Sequence, residues 1–168
     1  KSVFDGLMDY EPGTTTLRPG LAESYDISGD GLTYTFHLRP GVKFHNGREM
    51  TADDVVASLQ RWMELSPRGK AVGKEMAALT AKGTHGIELR LKTPYAPLLA
   101  QLALPSGMAA IMAKDSIAPQ LKDFIGTGPY KFKERRPDQF TVLVRFDDYA
   151  ARKEAPSGYA GRREAVLN

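Results

Sequence analysis

The segment "LTYTFHLR" alternates without a break: Leu32, Tyr34, Phe36 and Leu38 fall on one face, and Thr33, Thr35, His37 and Arg39 on the other. A period of two marks a half-buried strand. The turn residues of "SGDG" (Ser28–Gly31) separate it from "LAESYDI", which reads as its hairpin partner. The same period recurs in "GIELRLK" (Ile87, Leu89 and Leu91 inward), "GPYKFKE" (Tyr130 and Phe132 inward) and "QFTVLVRF" (Phe140, Val142, Val144 and Phe146 on one face). Strands are therefore predicted over Leu32–Arg39, Ile87–Lys92, Tyr130–Glu134 and Phe140–Phe146.

Between the strands the period changes to that of a helix. Val55, Leu59, Trp62 and Met63 recur at helical spacing after Thr51, and Asp54 follows Thr51 by three residues. That pattern predicts a helix from Thr51 to Met63, capped at its start by the threonine hydroxyl and ended by "SPRG". Trp62 belongs to its core face. A second helix is predicted in "KAVGKEMAAL", interrupted by Gly73, and a short third in "APLLAQLAL". Helices and strands mix without strict alternation, so the fold class is α+β with a mixed, partly antiparallel sheet. The tail "RKEAPSGYAGRREAVLN" shows little period and reads as a surface excursion.

The 168 residues are enough for one domain with a real core, and 42% hydrophobic with 26% charged residues is a globular composition. No apolar run approaches the ~18 residues of a membrane-spanning helix. The net charge of +3 is spread along the chain, without the concentrated basic patch that nucleic-acid binding needs. No cysteine is present, which removes disulfides, thiolate nucleophiles and Cys-type zinc sites.

The densest candidate for chemistry is "HLRPGVKFHNGREMTADDVV", with two histidines, Glu49, Asp53 and Asp54. His37 and His45 are eight residues apart on opposite sides of a turn, and His85 sits in a separate "GTHG" turn, so no four-ligand metal set forms. Asp53 and Asp54 read as solvated first-turn acids, and adjacent carboxylates do not face a common point. No nucleophile elbow, phosphate loop or H-E-x-x-H is present, and no enzyme is predicted. Turn chemistry explains the cluster: Pro40-Gly41 closes a strand, Asn46-Gly47 makes a tight turn, and Thr51 caps a helix.

The same stretch, extended to "LRPGLAESYDISGDGLTYTFHLRPGVKFHNGREMTADDVVASLQRW", closely resembles the family 5 extracellular solute-binding proteins. These are the dipeptide-, oligopeptide- and nickel-type receptors of bacterial ABC importers. "LKTPYAPLLAQL", "GTGPYKF" and "VRFDDY" follow in the family's order, and "FDGLMDY" resembles its early "EGL" segment with Asp5 in place of glutamate. The resemblance implies part of one lobe of a two-lobed periplasmic-binding-protein type II-like fold that closes on its ligand by a hinge. It divides the piece into a connection (1–20), a smaller subdomain of the first lobe (21–146) and an exit segment (147–168). "GTGPY" would cross near the connection between lobes.

By the same resemblance the chain is a monomeric substrate-binding component, periplasmic or lipid-anchored outside the inner membrane, with no cofactor. It would bind peptides or similar small solutes and deliver them to an ABC permease. The alternative is a sensory or chaperone-like domain that contacts a protein on the same scaffold. In relatives, the segment after the first long helix and the loop before the next strand approach the cleft. Here these are "SPRGK", giving Arg68 and Gly69, and "LPSGM", giving Leu104, Ser106 and Met108.

Overall fold

Strands β1 (Met8–Tyr10) and β2 (Leu17–Pro19) open the chain as a short antiparallel pair in the computed structural model, which describes residues 1–167. β3 (Ala22–Ile27) and β4 (Thr33–Leu38) then form the predicted hairpin, with Tyr25 opposite Phe36. Its turn is fixed by Asp30, whose Oδ1 accepts from the Leu32 amide at 3.0 Å. The alternation of β4 is realised: Tyr34, Phe36 and Leu38 are buried, and His37 is exposed beside Asp26.

Two helices follow, α1 (Ala52–Leu65) and α2 (Pro67–Glu75). The chain continues through β5 (Met76–Ala81), β6 (Gly86–Leu91), α3 (Leu98–Ala103), a 3-10 turn at Lys114–Ser116, β7 (Tyr130–Arg136) and β8 (Phe140–Arg145). The main sheet has the antiparallel order β3-β4-β6-β5, and β7 and β8 form a separate hairpin. Val55, Leu59 and Trp62 of α1 pack with Phe36, Ile87, Leu89 and Leu91 in one core. The architecture is α+β.

Three local expectations change. The second helix was predicted over 70–79, but α2 starts at Pro67, one residue after α1's C-cap Ser66, and Met76–Ala81 is strand β5. Proline suits the first helical position because its fixed φ is already helical and it lacks only an amide that would be unpaired. At the other end, pairing with β6, Leu79 opposite Leu89, overrides the helix propensity of the alanines. In β8, Phe140 remains 40% exposed and Val142 and Val144 are only half-buried, since the two-stranded β7–β8 hairpin has little above it.

Asp54 is the third. It was expected as a solvated acid, yet its side chain is fully buried. Arg48 grips both carboxylate oxygens (2.6 and 3.0 Å), and the Lys114 and Thr51 amides donate to them at 3.0 and 2.9 Å. Thr51 does stand at the N-cap in a capping-box arrangement, but its hydroxyl donates to Asp54 Oδ2 at 2.9 Å. One carboxylate thereby ties the start of α1 to the segment entering the 3-10 turn.

The tail is no free excursion. Arg152 donates to Gly20 O at 2.8 Å, Arg163 pairs with buried Asp5, and Ala160 is buried. Thr127 also donates to Asp5, and Gly128 and Tyr130 donate their amides to Val3 and Ser2. Arg39, at the end of β4, reaches Ala150 O at 2.8 Å. The beginning and end of the chain thus meet beside the main sheet.

Candidate functional site

The candidate residues gather where α1 stops. Ser66 adopts an extended backbone between the helices, so α2 turns back against the end of α1. Gly69 permits the close approach: a Cβ there would lie 2.0 Å from Trp62 O. Gly69 is therefore buried and faces α1, while Arg68, one residue earlier, reaches outward. Its Nη1 donates to Ser106 O at 2.6 Å.

The second segment comes from α3. Leu104 caps that helix, donating its amide to Ala100 O, and Pro105 ends it. The chain then turns through Ser106 and through Gly107 at φ 59°, a left-handed conformation open to glycine without penalty. Ser106 and Gly107 are exposed, and Leu104 and Met108 half-buried. Arg68 thus touches the loop that carries Leu104, Ser106 and Met108, while Gly69 packs against the end of α1.

The helical period of α1 places Trp62 in the core. Its ring is indeed buried, 5% exposed, but its indole Nε1–H leaves the core and donates to Gly107 O at 2.8 Å. The signal was available, because a buried tryptophan N–H almost always finds an acceptor. Which carbonyl it would find was not.

The histidines are held apart. His37 contacts Asp26, His85 contacts Glu49, and His45 is wedged between Gly126 and Gly128. A cavity of about 580 Å³ between β2 and the tail is lined by residues that include Arg18, Arg152, Glu11 and Glu154. Those charges pair with one another, Arg18 with Glu11 and Arg152 with Glu154. Burial is slight at Glu154, and the Arg152 hydrogen bond brings its carboxyl down to about 2.

Comparison with known proteins gives the chain's family. Residues 16–160 match the profile of bacterial extracellular solute-binding proteins, family 5 Middle. Di/tripeptide-binding protein 2 of Pseudomonas aeruginosa is 37% identical, over 91% of this chain and 34% of that protein. The periplasmic binding protein DppA from Helicobacter pylori, solved in complex with peptide STSA, matches with a TM-score of 0.78 at 32% identity, covering 94% of this chain and 35% of that one. NikA from Brucella suis, in complex with Fe(III)-EDTA, also matches with a TM-score of 0.78 at 32% identity, over 93% of this chain and 32% of its own. The chain spans about a third of the length of the curated relatives it matches. With the profile matched over most of its length and the fold shared at this identity, the chain belongs to family 5 of the bacterial extracellular solute-binding proteins.

Proposed function

We propose that this chain is part of the first lobe of a receptor that binds peptides or similar small solutes and hands them to the permease of a bacterial ABC importer. The receptor works as a monomer in the periplasm, or tethered there by a lipid, and leaves its ligand chemically unchanged. Residues 1–20 connect from the rest of the lobe, 21–146 form its smaller subdomain, and 147–168 lead out again.

The observation that carries this reading is the Arg68–Ser106 hydrogen bond, which brings together two segments distant in sequence. Arg68, Leu104, Ser106 and Met108 face the ligand, and Gly69 provides the close packing behind them. Hinge closure of a second lobe over this wall buries the ligand and excludes water, so pocket shape and backbone pairing set the affinity. Relatives named for di- and tripeptides support peptides as the solute class.

The test is native mass spectrometry of the full-length receptor purified from the periplasm. Short peptides should be carried through and be exchangeable for added di- or tripeptide. A co-purifying metal chelate that peptides do not displace would refute peptides as the ligand class.

A further inference from the structure

Two side chains from different helices take consecutive carbonyls of one loop. Arg68 of α2 holds Ser106 O at 2.6 Å, and Trp62 of α1 holds Gly107 O at 2.8 Å. Both donors are well anchored. The Trp62 ring is buried in the core, and Gly69 fixes α2 against the Trp62 carbonyl. The loop itself has little else: Leu104 donates to Ala100 O before it, and Ala110 donates to Met108 O after it.

In a trans peptide unit, C=O and N–H point in opposite directions. Ser106 O faces Arg68 of α2 and Gly107 O faces Trp62 of α1, so the Gly107 N–H points away from Arg68 and the Met108 N–H away from Trp62. Neither N–H has an acceptor among the described residues. Ser106 and Gly107 are exposed and Met108 is half-buried, so the pair sits at the edge of the surface.

We propose that the Gly107 and Met108 amides are a donor pair for an acceptor oxygen of the solute, a peptide carbonyl or carboxylate, and that Trp62 and Arg68 are the positioning residues that aim it. This rests on the functional reading above. Two adjacent amides with fixed directions suit an extended peptide, whose backbone oxygens are common to every sequence. Loss of either prong lets the loop sample other geometries, and apparent affinity falls by the fraction of time the competent one is kept.

The experiment uses the full-length receptor, with trialanine as the probe. Trialanine should move the Gly107 and Met108 amide protons downfield in NMR spectra, and alanine methyl ester, with no free carboxylate and no peptide unit, should not. Trp62→Phe and Arg68→Ala should each weaken trialanine binding by about tenfold, with Arg68→Lys recovering much of the loss. Arg68 lies outside the core, so its variants remain informative if Trp62→Phe misfolds. Binding of trialanine that leaves both amides unmoved overturns the donor assignment, and unchanged affinity in Arg68→Ala overturns the positioning role. If the receptor binds no peptide at all, the functional reading fails. Hydrogen exchange then decides the positioning role separately: faster exchange of the Leu104 and Ala110 amides, the hydrogen-bonded pair that flanks the loop, in either variant upholds it, and unchanged exchange refutes it.

Discussion

His45 is held at both ring nitrogens by one glycine-rich turn: Gly126 donates its amide to Nδ1 at 3.2 Å, and Nε2 lies 2.9 Å from Gly128 O. With Nδ1 accepting, Nε2 must carry the hydrogen that Gly128 O accepts, so the ring is neutral. Phe146 packs edge-on at 5.0 Å. Burial, the largest influence, lowers the imidazole pKa below its ordinary value.

Acid should therefore destabilise the domain through this histidine. Its pKa is lower folded than unfolded, so the unfolded chain binds the extra proton first as pH falls. Stability contributed by neutral His45 is complete above about pH 6.5 and is lost progressively below it. Urea unfolding at about pH 8 and about pH 5.5 should show the decline in the wild type and a smaller one in His45→Gln. An equal decline in both would assign the pH dependence elsewhere.

Asp54 and Thr51 should separate in magnitude. Burial opposes the Asp54 charge, but the Arg48 pair and the amides of Lys114 and Thr51 outweigh it and hold the carboxyl below the ordinary range. Asp54→Ala strands those donors and should cost about 3 kcal/mol, the low end for a broken buried pair because Arg48 is 35% exposed. Equilibrium denaturation measures it; a loss under about 1 kcal/mol would mean that water replaces the carboxylate.

Thr51→Ala removes only a hydroxyl donated to that carboxylate, leaving the backbone amide bond in place. The expected cost is about 1 kcal/mol. A loss as large as that of Asp54→Ala would show that the hydroxyl orders the whole cluster.

Gly69→Ala should damage the corner between α1 and α2. The new Cβ would meet Trp62 O at 2.0 Å and Met63 Cα at 2.9 Å, both backbone, so no side-chain rotation relieves it. The expected loss is about 2–3 kcal/mol, accompanied by weaker protection of the Leu104 and Ala110 amides that flank the loop. A silent substitution would show that the helices can part without consequence.

What was legible in the sequence was local. The periods of β4, β6 and α1, the helix start at Thr51 and the positive-φ turns at Gly41 and Gly47 each depend on neighbours within a few residues. The misses depend on partners far along the chain. Met76–Ala81 is a strand because β6 supplies the edge, and Asp54 is buried because Arg48 and the Lys114 amide surround it. The candidate wall was half legible: resemblance pointed to Arg68 and Ser106, but only the fold showed that they bond and that Trp62 joins them.

The central claim is that these residues form one wall of a cleft that needs a second lobe. A single wall leaves the polar groups of a ligand hydrated and gives closure nothing to close against. Calorimetric titration of the 168-residue chain and of the full-length receptor with one di- and tripeptide mixture tests it most directly. The short chain should fold yet bind with a dissociation constant above about 1 mM, a free energy of only ~4 kcal/mol, and the full receptor should bind orders of magnitude more tightly. Micromolar binding by the short chain alone would contradict the claim, because a complete pocket would then lie within it.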